Sequence, residues 1–425
     1  MLGLALLGGM GRALASTAPA RSKLDIELAA IARDPAIDMA SLSVLAIRRG
    51  RVVYEQQFGW RSIGSAKLAN ARTLYRMASI SKMMTTFGLM RLVEQGKCGL
   101  DTDVSDYLGF KLRNPHFPER AVTLRALLTH TSSLRDDAGY SWPASFALKD
   151  ILVPGGRDYG NGAMWASNAA PGDYFTYCNL GWGVIGTLME RITGERFDRL
   201  MKRLLLDPLG LHGGYHPSEF TQEDLGNLAT LYRKRTTDTE VWNPAGPWIA
   251  QVDDYSGKAP VPPAGNYFIG SNATPYSPTG GCRMSAADMG KVMQMLINQG
   301  QHEGRQILKP ETIERMFTRQ WTYDGKGGNG ACRPGMQHGW GMGNQQFGGR
   351  VLGGPGFSAV GHLGDAYGLL SVFAVDRASG NGMIVLCGGT GTDQEHYRGD
   401  CSALAPYEEQ ILASLYREAI QGEAG

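Results

Sequence analysis

A serine and a lysine stand three residues apart in the segment MASISKMM, which begins at Met77 and runs into an apolar stretch. Residues i and i+3 share one face of a helix, so Ser79 and Lys82 are predicted to point into the same space. A serine hydroxyl becomes a good nucleophile when a base removes its proton. Burial and the positive end of a helix dipole both lower the pKa of a lysine, which makes a neutral Lys82 such a base. The spacing therefore indicates nucleophilic catalysis, with a capping serine beside a snorkelling lysine as the structural alternative.

The elements around this pair belong to an α+β pattern. The segment 42–60 reads as two strands joined by a charged, glycine-containing turn, and a helix is predicted from Ser79 to Gly96. Two further strand-like runs, 367–376 and 383–389, flank a glycine-rich turn near the C-terminus. Strands at both ends and helices between them predict one antiparallel sheet, built from both chain ends and flanked by helices, with a mostly helical inserted domain.

This pattern divides the chain into parts. Residues 21–95 and 277–425 are predicted to form the sheet domain and residues 96–276 the mostly helical domain, with the active site in the cleft between them. Residues 1–20 contain a short apolar run and two small-x-small sites, which indicates a signal segment and a periplasmic or secreted protein. The absence of a basic start and the presence of Arg12 keep a cytoplasmic location as the alternative. The apolar run is too short to span a bilayer, so stable membrane insertion is not expected.

The stretch LYRMASISKMMTT resembles the nucleophile segment of the serine β-lactamase-like, penicillin-recognising hydrolases. Class C β-lactamases, family VIII carboxylesterases and D-aminopeptidases are the most similar groups by motif. Four more stretches match in the same order: TLRALLTHTSSL, PGDYFTYCNLGWGVIG, SPTGGCRMSAADM and GHLGDAYG. With the first strand pair they run from about Leu42 to Gly389. The resemblance implies a β-lactamase/transpeptidase-like fold and a cofactor-free serine hydrolase that forms an acyl-enzyme on Ser79.

The second element of this family is Y-x-N or S-x-N on a loop that faces the nucleophile. Tyr177 and Asn179 fit it, and their flanking residues fit as well. The resemblance implies that Tyr177 shares or relays the Ser79 proton and that the Asn179 amide binds substrate and holds Lys82. A second Y-x-N triplet begins at Tyr159, among glycines, and reads as a turn.

The third element is K-T-G in β-lactamases and often H-x-G in the esterases and aminopeptidases. Here it is His-Leu-Gly, which contains His362 and Gly364 and precedes the C-terminal hairpin as a predicted edge strand. Gly364 would let substrate approach closely. By resemblance the backbone N–H groups of Ser79 and Asp365 form the oxyanion hole. A neutral histidine offers one hydrogen bond where a lysine offers a full charge to a substrate carboxylate, which favours esters or amides without that carboxylate.

Other patterns exclude several functions. The net charge is +2 and no basic block is present, so a nucleic-acid partner is not expected. No metal-ligand spacing occurs, and neither a metal nor a cofactor is expected. Cys332 and Cys401 lie in glycine-rich surroundings and are candidates for pairing in an oxidising compartment. The sequence leaves the oligomeric state open.

The sequence therefore predicts a serine hydrolase of carboxylesterase type that acts on a small-molecule ester or amide. A β-lactamase, a D-aminopeptidase or a DD-peptidase is the alternative within this class. A non-catalytic ligand-binding or sensor protein with the same fold is the alternative outside it. Six aromatic residues of the helical part are candidates for lining an acyl or aryl pocket: Tyr140, Trp142, Trp165, Trp242, Trp248 and Phe268.

Overall fold

The computed structural model describes residues 22–236, 241–263, 265–331, 338–347, 352, 357–393, 399 and 404–422. The predicted signal segment and the cysteines at 332 and 401 lie outside the described residues. The strands are β1 (Ser41–Arg48), β2 (Arg51–Ser62), β3 (Lys67–Leu68), β4 (Tyr75–Arg76), β5 (Leu231–Lys234), β6 (Trp248–Val252), β7 (Arg283–Met284), β8 (Gln301–His302), β9 (Arg305–Gln306), β10 (Trp321–Thr322), β11 (Gly339–Trp340), β12 (Gln345–Gln346), β13 (Val360–Ala366), β14 (Leu369–Asp376) and β15 (Asn381–Gly388).

The α-helices lie at both ends of the chain and throughout its middle. They are α1 (Lys23–Arg33), α2 (Ile80–Glu94), α3 (Ser105–Leu108), α4 (Leu124–Leu128), α5 (Leu148–Leu152), α6 (Leu180–Thr193), α7 (Phe197–Met201), α8 (Gln222–Gly226), α9 (Ala286–Ile297), α10 (Pro310–Phe317) and α11 (Pro406–Ser414). Short π-helical turns, Lys202–Leu206 and Leu415–Gln421, continue α7 and α11.

The main sheet joins both ends of the chain, as the strand pattern predicts. Its spatial order is β10-β11-β12-β13-β14-β15-β1-β2-β3. Strand β1 lies between β2 and β15 and pairs antiparallel with each, so that Val44 stands opposite both Gln56 and Val385. This arrangement confirms the α+β class and the antiparallel sheet built from both chain ends.

Both faces of this sheet are covered by helices. Successive side chains of a strand point to opposite faces of the sheet. All residues of β1 except the last are buried, so both faces of the sheet are covered at this strand. Leu42 and Val44 pack into a cluster with α1 and α11, whereas Leu45 and Ile47 pack into the larger cluster with α2 and α9. The larger cluster draws residues from both predicted domains, and the domain boundaries themselves stay a prediction.

The strand that carries the His-Leu-Gly triplet is not the edge strand that the sequence predicts. Strand β13 has β14 on one side and β12 on the other. However, β12 pairs only with Val360 and Gly361. From His362 to Ala366 no described strand pairs with that side of β13, because β12 is two residues long. The prediction is therefore wrong for the sheet as a whole, although this half of β13 is open.

Helix α2 is the element that positions the predicted nucleophile. Twelve of its fifteen residues are buried, and they surround the helix on every side. It packs against β13 and β14 on one side and against α6 on another. Gly88 allows close packing, since a Cβ there would lie 2.5 Å from the sulfur of Met201. A lysine near the start of such a helix has little access to water.

Candidate active site

The chain enters α2 through a strained turn. Ala78 has φ +50°, a left-handed conformation that costs a non-glycine residue about 1 kcal/mol, while Ser79 has returned to φ −66°. The turn is held because Met77 N–H donates to the carbonyl oxygen of Cys282. Ser79, at the end of this turn, is partly exposed and lines a cavity of about 740 Å³.

Lys82 is completely buried beneath this serine. Its Nζ lies 3.0 Å from Ser79 Oγ, 2.7 Å from Asn179 Oδ1 and 3.2 Å from the carbonyl oxygen of Thr279. Burial lowers the pKa of Lys82 to about 7, against a smaller opposing effect of nearby Asp136. Near neutral pH a large fraction of this amine is therefore unprotonated and able to take the serine proton, as the spacing predicts.

Tyr177 stands where the resemblance implies, in the cavity wall beside this pair. The Nζ of Lys82 lies 4.8 Å from the centroid of its ring. The ring packs 4.4 Å from the imidazole of His130 and 6.5 Å from that of His362. Tyr159, which begins the other Y-x-N triplet, lies in a turn. It is not among the described residues that line the cavity.

The side chain of Asn179 is fixed from both ends. Its Oδ1 accepts hydrogen bonds from Lys82 Nζ and from Thr279 Oγ1, the latter at 2.8 Å. Its Nδ2 donates to Asp136 Oδ2 at 2.8 Å. The same carboxylate accepts hydrogen bonds from the backbone N–H groups of Asn179 and Leu180, with N···O distances of 2.8 and 2.9 Å. The structure thus shows Asn179 holding Lys82, and its amide also lines the cavity.

Asp136 is a functional residue that sequence reasoning missed. It occupies a loop, follows Arg135 and precedes Asp137, and belongs to no chemical motif. Its carboxylate caps the start of α6 while it orients the Asn179 amide, and it also lines the cavity. Since negative charge is favourable at a helix N-terminus, the same contacts stabilise α6.

His130 is a second residue without a predicted role. Its Nδ1 accepts a hydrogen bond from Cys178 N–H at 3.0 Å, and its carbonyl oxygen accepts one from Thr176 N–H at 2.8 Å. Burial, with the charge of Lys82, keeps its pKa well below the usual value, so the ring is neutral. The imidazole therefore holds the loop that carries Tyr177, from inside an aromatic cluster.

His362, Gly364 and Asp365 all line the same cavity. Leu363 N–H donates to Gln345 Oε1 at 2.8 Å, away from β14. Residues two apart in a strand direct their N–H groups to the same side, so that of Asp365 also points away from β14. Strand β13 meets the nucleophile turn at Gly364, and both Ser79 and Asp365 line the cavity. That their N–H groups form an oxyanion hole stays a prediction.

Gly364 also has a structural role within the protein. A Cβ at this position would lie 2.3 Å from Ser371 Oγ and 2.5 Å from the carbonyl oxygen of Met77. Both neighbours belong to the protein, so the glycine is required for β13 to pack against the nucleophile turn. That Gly364 lets substrate approach closely stays a prediction.

The rest of the cavity wall contains both aromatic and charged side chains. Of the predicted aromatic residues, Tyr140 lines the cavity, and Tyr367 joins it from the turn after β13. The Arg76 guanidinium donates to Gly280 O at 3.0 Å and stacks 4.8 Å from the Tyr367 ring. The other five predicted aromatic residues are not among the described residues that line the cavity: Trp142, Trp165, Trp242, Trp248 and Phe268.

The described residues contain neither a membrane-spanning helix nor a cluster of metal ligands. None of their helices combines the length and apolar character needed to cross a bilayer. Within the same part of the chain, no three His, Cys, Asp or Glu side chains cluster as metal ligands.

Comparison with known proteins places this geometry in context. Penicillin-binding protein 4* of Bacillus subtilis (strain 168) is 27% identical over 174 residues, which are 40% of this chain and 36% of that protein. Esterase EstB of Burkholderia gladioli is 28% identical over 214 residues, which are 46% of this chain and 54% of the esterase. The matched parts span about a third and about half of these two relatives.

A solved structure shares the fold over nearly its whole length. EstCE1, a hydrolase with promiscuous acyltransferase activity, superposes with a TM-score of 0.65 at 21% identity, covering 92% of this chain and 98% of that one. The profile of the Beta-lactamase family matches residues 28–403, most of the sequence. With a β-lactamase/transpeptidase-like fold and a Ser-Lys pair in its cavity, the chain belongs to the Beta-lactamase family of serine hydrolases.

Proposed function

We propose that this protein is a cofactor-free serine hydrolase of carboxylesterase type, which cleaves a small-molecule ester or amide through an acyl-enzyme on Ser79. The observation that carries the proposal is the buried Lys82 amine, 3.0 Å from the Ser79 hydroxyl and with a pKa near 7. A general base is most effective when its pKa lies near the working pH.

Acylation begins when neutral Lys82 takes the Ser79 proton as Oγ bonds to the substrate carbonyl carbon. The carbonyl electrons move onto its oxygen, where the N–H groups of Ser79 and Asp365 stabilise the charge, each by roughly 3 kcal/mol. The bond to the alcohol or amine then breaks. The Lys82 ammonium returns its proton to the leaving group, directly or through the Tyr177 hydroxyl.

Deacylation repeats these steps with water in place of the serine. Neutral Lys82 accepts a proton from a water molecule as the water oxygen attacks the ester carbonyl carbon of the acyl-enzyme. The second tetrahedral intermediate collapses, the carboxylic acid leaves and Ser79 recovers its proton. Asn179 holds the amine in one position throughout, because Asp136 fixes the orientation of its amide.

The ester preference rests on the third motif. His362 is uncharged, since burial and the charge of Lys82 lower its pKa to about 3. A substrate carboxylate would meet no cation there. The similarity to EstB, an esterase, agrees with this preference, whereas penicillin-binding protein 4* represents the alternative.

The test measures turnover of p-nitrophenyl butyrate, a D-alanyl amide and nitrocefin by the wild type, Ser79→Ala and the control Ser141→Ala. Ser141 also lines the cavity but is exposed. We expect the ester to react fastest, and Ser79→Ala to lose at least about 10³-fold while the control keeps full activity. Intact-mass analysis after a fluorophosphonate should show one adduct that Ser79→Ala lacks.

The other outcomes are equally specific. Nitrocefin turnover that matches the ester would indicate a β-lactamase. Faster cleavage of the D-alanyl amide would indicate a D-aminopeptidase. A folded wild type that neither turns over any compound nor forms the adduct would indicate a non-catalytic binding protein.

A further inference from the structure

Thr279 contacts the general base in two ways. Its carbonyl oxygen accepts a hydrogen bond from Lys82 Nζ at 3.2 Å, and its hydroxyl donates to Asn179 Oδ1 at 2.8 Å. Asn179 Oδ1 is itself the second acceptor of the Lys82 amine, at 2.7 Å. Thr279 is buried, lies in the turn before β7 and follows Lys82 by 197 residues.

The acceptors around Lys82 Nζ match the hydrogens that a neutral amine carries. A carbonyl or amide oxygen can only accept, so Thr279 O and Asn179 Oδ1 each require one N–H. A neutral lysine amine has two hydrogens and one lone pair. Among the described residues the third partner of Nζ is Ser79 Oγ at 3.0 Å, and a hydroxyl can donate. With both hydrogens committed, the lone pair faces the Ser79 hydroxyl.

The ammonium form of Lys82 fits the same three partners, because its third hydrogen then points at Ser79 Oγ. The proton that the amine gains and loses therefore occupies one position, between Nζ and the serine oxygen. From this position a general base takes the serine proton and later returns one.

The segment that carries the Ser-Lys pair also anchors the turn on both sides of Thr279. Pro278 O accepts a hydrogen bond from Thr85 Oγ1 at 2.7 Å, and Gly280 O accepts one from Arg76 Nε at 3.0 Å. Arg76 belongs to β4 and Thr85 to α2, so they stand on either side of the pair in the chain. These two contacts fix the carbonyl of Thr279, which lies between them.

We infer that Thr279 is a positioning residue for the general base of this hydrolase. Its carbonyl oxygen holds one hydrogen of Lys82, and its hydroxyl holds the amide oxygen that binds the other, which aims the lone pair at Ser79. The inference rests on the proposed function for the reaction, but it concerns the amine of the free protein.

Lys82 is the group whose titration tests this role. Near the amine, His130 and His362 are neutral because burial lowers their pKa values, and Cys178 is protonated because burial raises the pKa of its thiol. Asp136 is the charged neighbour among the described residues, and every variant below retains it.

The experiment compares Thr279→Val, which keeps the shape but lacks the hydroxyl, with Thr279→Ser, which keeps the hydroxyl. In the valine variant Asn179 Oδ1 no longer shares its lone pairs with Thr279, so it binds the Lys82 ammonium more strongly and favours the charged form. The acid limb of kcat/KM for p-nitrophenyl butyrate should move to higher pH, and activity at pH 7 should fall about tenfold, the effect of one hydrogen bond. Thr279→Ser should retain the limb and most of the activity.

The matched control is Thr187→Val. Thr187 is also buried, and its hydroxyl donates to Gly183 O at 2.8 Å and accepts from Ala273 N–H at 2.9 Å. This variant should lower stability and leave the acid limb in place. A limb that moves equally in the control, or stays in place in Thr279→Val, would overturn the inference. Equal impairment of Thr279→Ser and Thr279→Val would also overturn it, and Thr279→Ala replaces a valine variant that fails to fold.

Because Thr279 lines the cavity, a contact with substrate has to be distinguished from positioning. The rate at which a fluorophosphonate labels Ser79, followed by intact mass, gives a maximal rate and a half-saturating concentration. A positioning role predicts that Thr279→Val lowers the maximal rate alone. A change confined to the half-saturating concentration would overturn the inference.

A last readout does not depend on turnover. In protein labelled with ¹³C at lysine Cε, the Lys82 signal, assigned by its loss in Lys82→Met, should titrate with a midpoint near 7. The midpoint should be higher in Thr279→Val and unchanged in Thr187→Val. An inactive protein with this displaced midpoint would contradict the proposed function alone, whereas equal midpoints in wild type and Thr279→Val would overturn the inference.

Discussion

The side-chain amide of Asn179 donates to the carboxylate of Asp136 at 2.8 Å, and this contact sets the orientation of the whole amide group. With its NH₂ group committed to the carboxylate, its oxygen faces Lys82 Nζ at 2.7 Å. If the amide were reversed, its NH₂ would face the amine. The base would then lose an acceptor that holds it beside Ser79.

Asp136→Asn should therefore impair catalysis, although Asp136 acts only by orienting Asn179 and is not expected to contact the reacting atoms. We expect kcat/KM to fall about 100-fold, the effect of misplacing a catalytic group by about 1 Å. The acid limb of the pH–rate profile should also move to lower pH, because the charge of Asp136 raises the pKa of Lys82. The matched control is Asp137→Asn, whose exposed carboxylate pairs with Arg135. An unchanged rate with an unchanged limb would contradict this role.

The wild type should gain activity as pH rises through about 7. The sign follows from the mechanism: Lys82 acts as a base only when neutral, and its pKa is about 7. Lys82→Arg should lose roughly 10²- to 10⁴-fold and recover at no pH, since an arginine stays protonated. The measurement is kcat/KM for p-nitrophenyl butyrate from pH 5 to 9. A flat profile across pH 7 would refute Lys82 as the base.

The same lysine should make stability depend on pH. An unfolded lysine has a pKa of about 10.4, whereas that of folded Lys82 is about 7. Between these values the unfolded state binds more protons, so stability rises with pH. From pH 7 to 9 the unfolding free energy should increase by roughly 2 kcal/mol more in the wild type than in Lys82→Met. The exposed Lys97→Met serves as control, and equal increases would show that Lys82 stays protonated.

The ion pair of Arg283 and Asp253 should be essential for stability. Two hydrogen bonds at 2.8 and 3.1 Å join these buried side chains, and Arg283 belongs to β7, which pairs with β4 before the nucleophile. Asp253→Ala should cost about 3–5 kcal/mol because it leaves a buried charge unpaired. The exposed pair of Arg120 and Asp173 provides the control, since Asp173→Ala should cost less than about 1 kcal/mol. Denaturant unfolding curves measure both, and similar losses would contradict the argument.

Local signals were sufficient to predict the first strand pair and the close approach of Ser79 and Lys82. The charged, glycine-containing turn after the first strand and the spacing of Ser79 and Lys82 each depend on neighbours within a few residues. The structure forms both as predicted. Asn179 follows from a short motif in the same way.

The supporting residues could not be predicted in this way. Asp136 acts on a residue 43 positions away, and His130 acts on Cys178, 48 positions away. A lone carboxylate or imidazole has no sequence period that would reveal such a partner. The hydrogen bond between His362 Nδ1 and the carbonyl oxygen of Leu363 depends on the course of the strand, which the side-chain pattern does not encode.

The pairing of β1 with β15 has a consequence for how the protein acquires activity. These strands are joined across more than 330 residues, as Leu42 stands opposite Cys387. Contacts between such distant segments form late, because a long loop must close first, and they slow folding. Ser79 is synthesised early, but the strand that carries Asp365 comes nearly 290 residues later. If the Asp365 N–H completes the oxyanion hole, as we propose, a ribosome-bound chain that has not yet synthesised β13 would contain its nucleophile and still lack one of the two oxyanion donors.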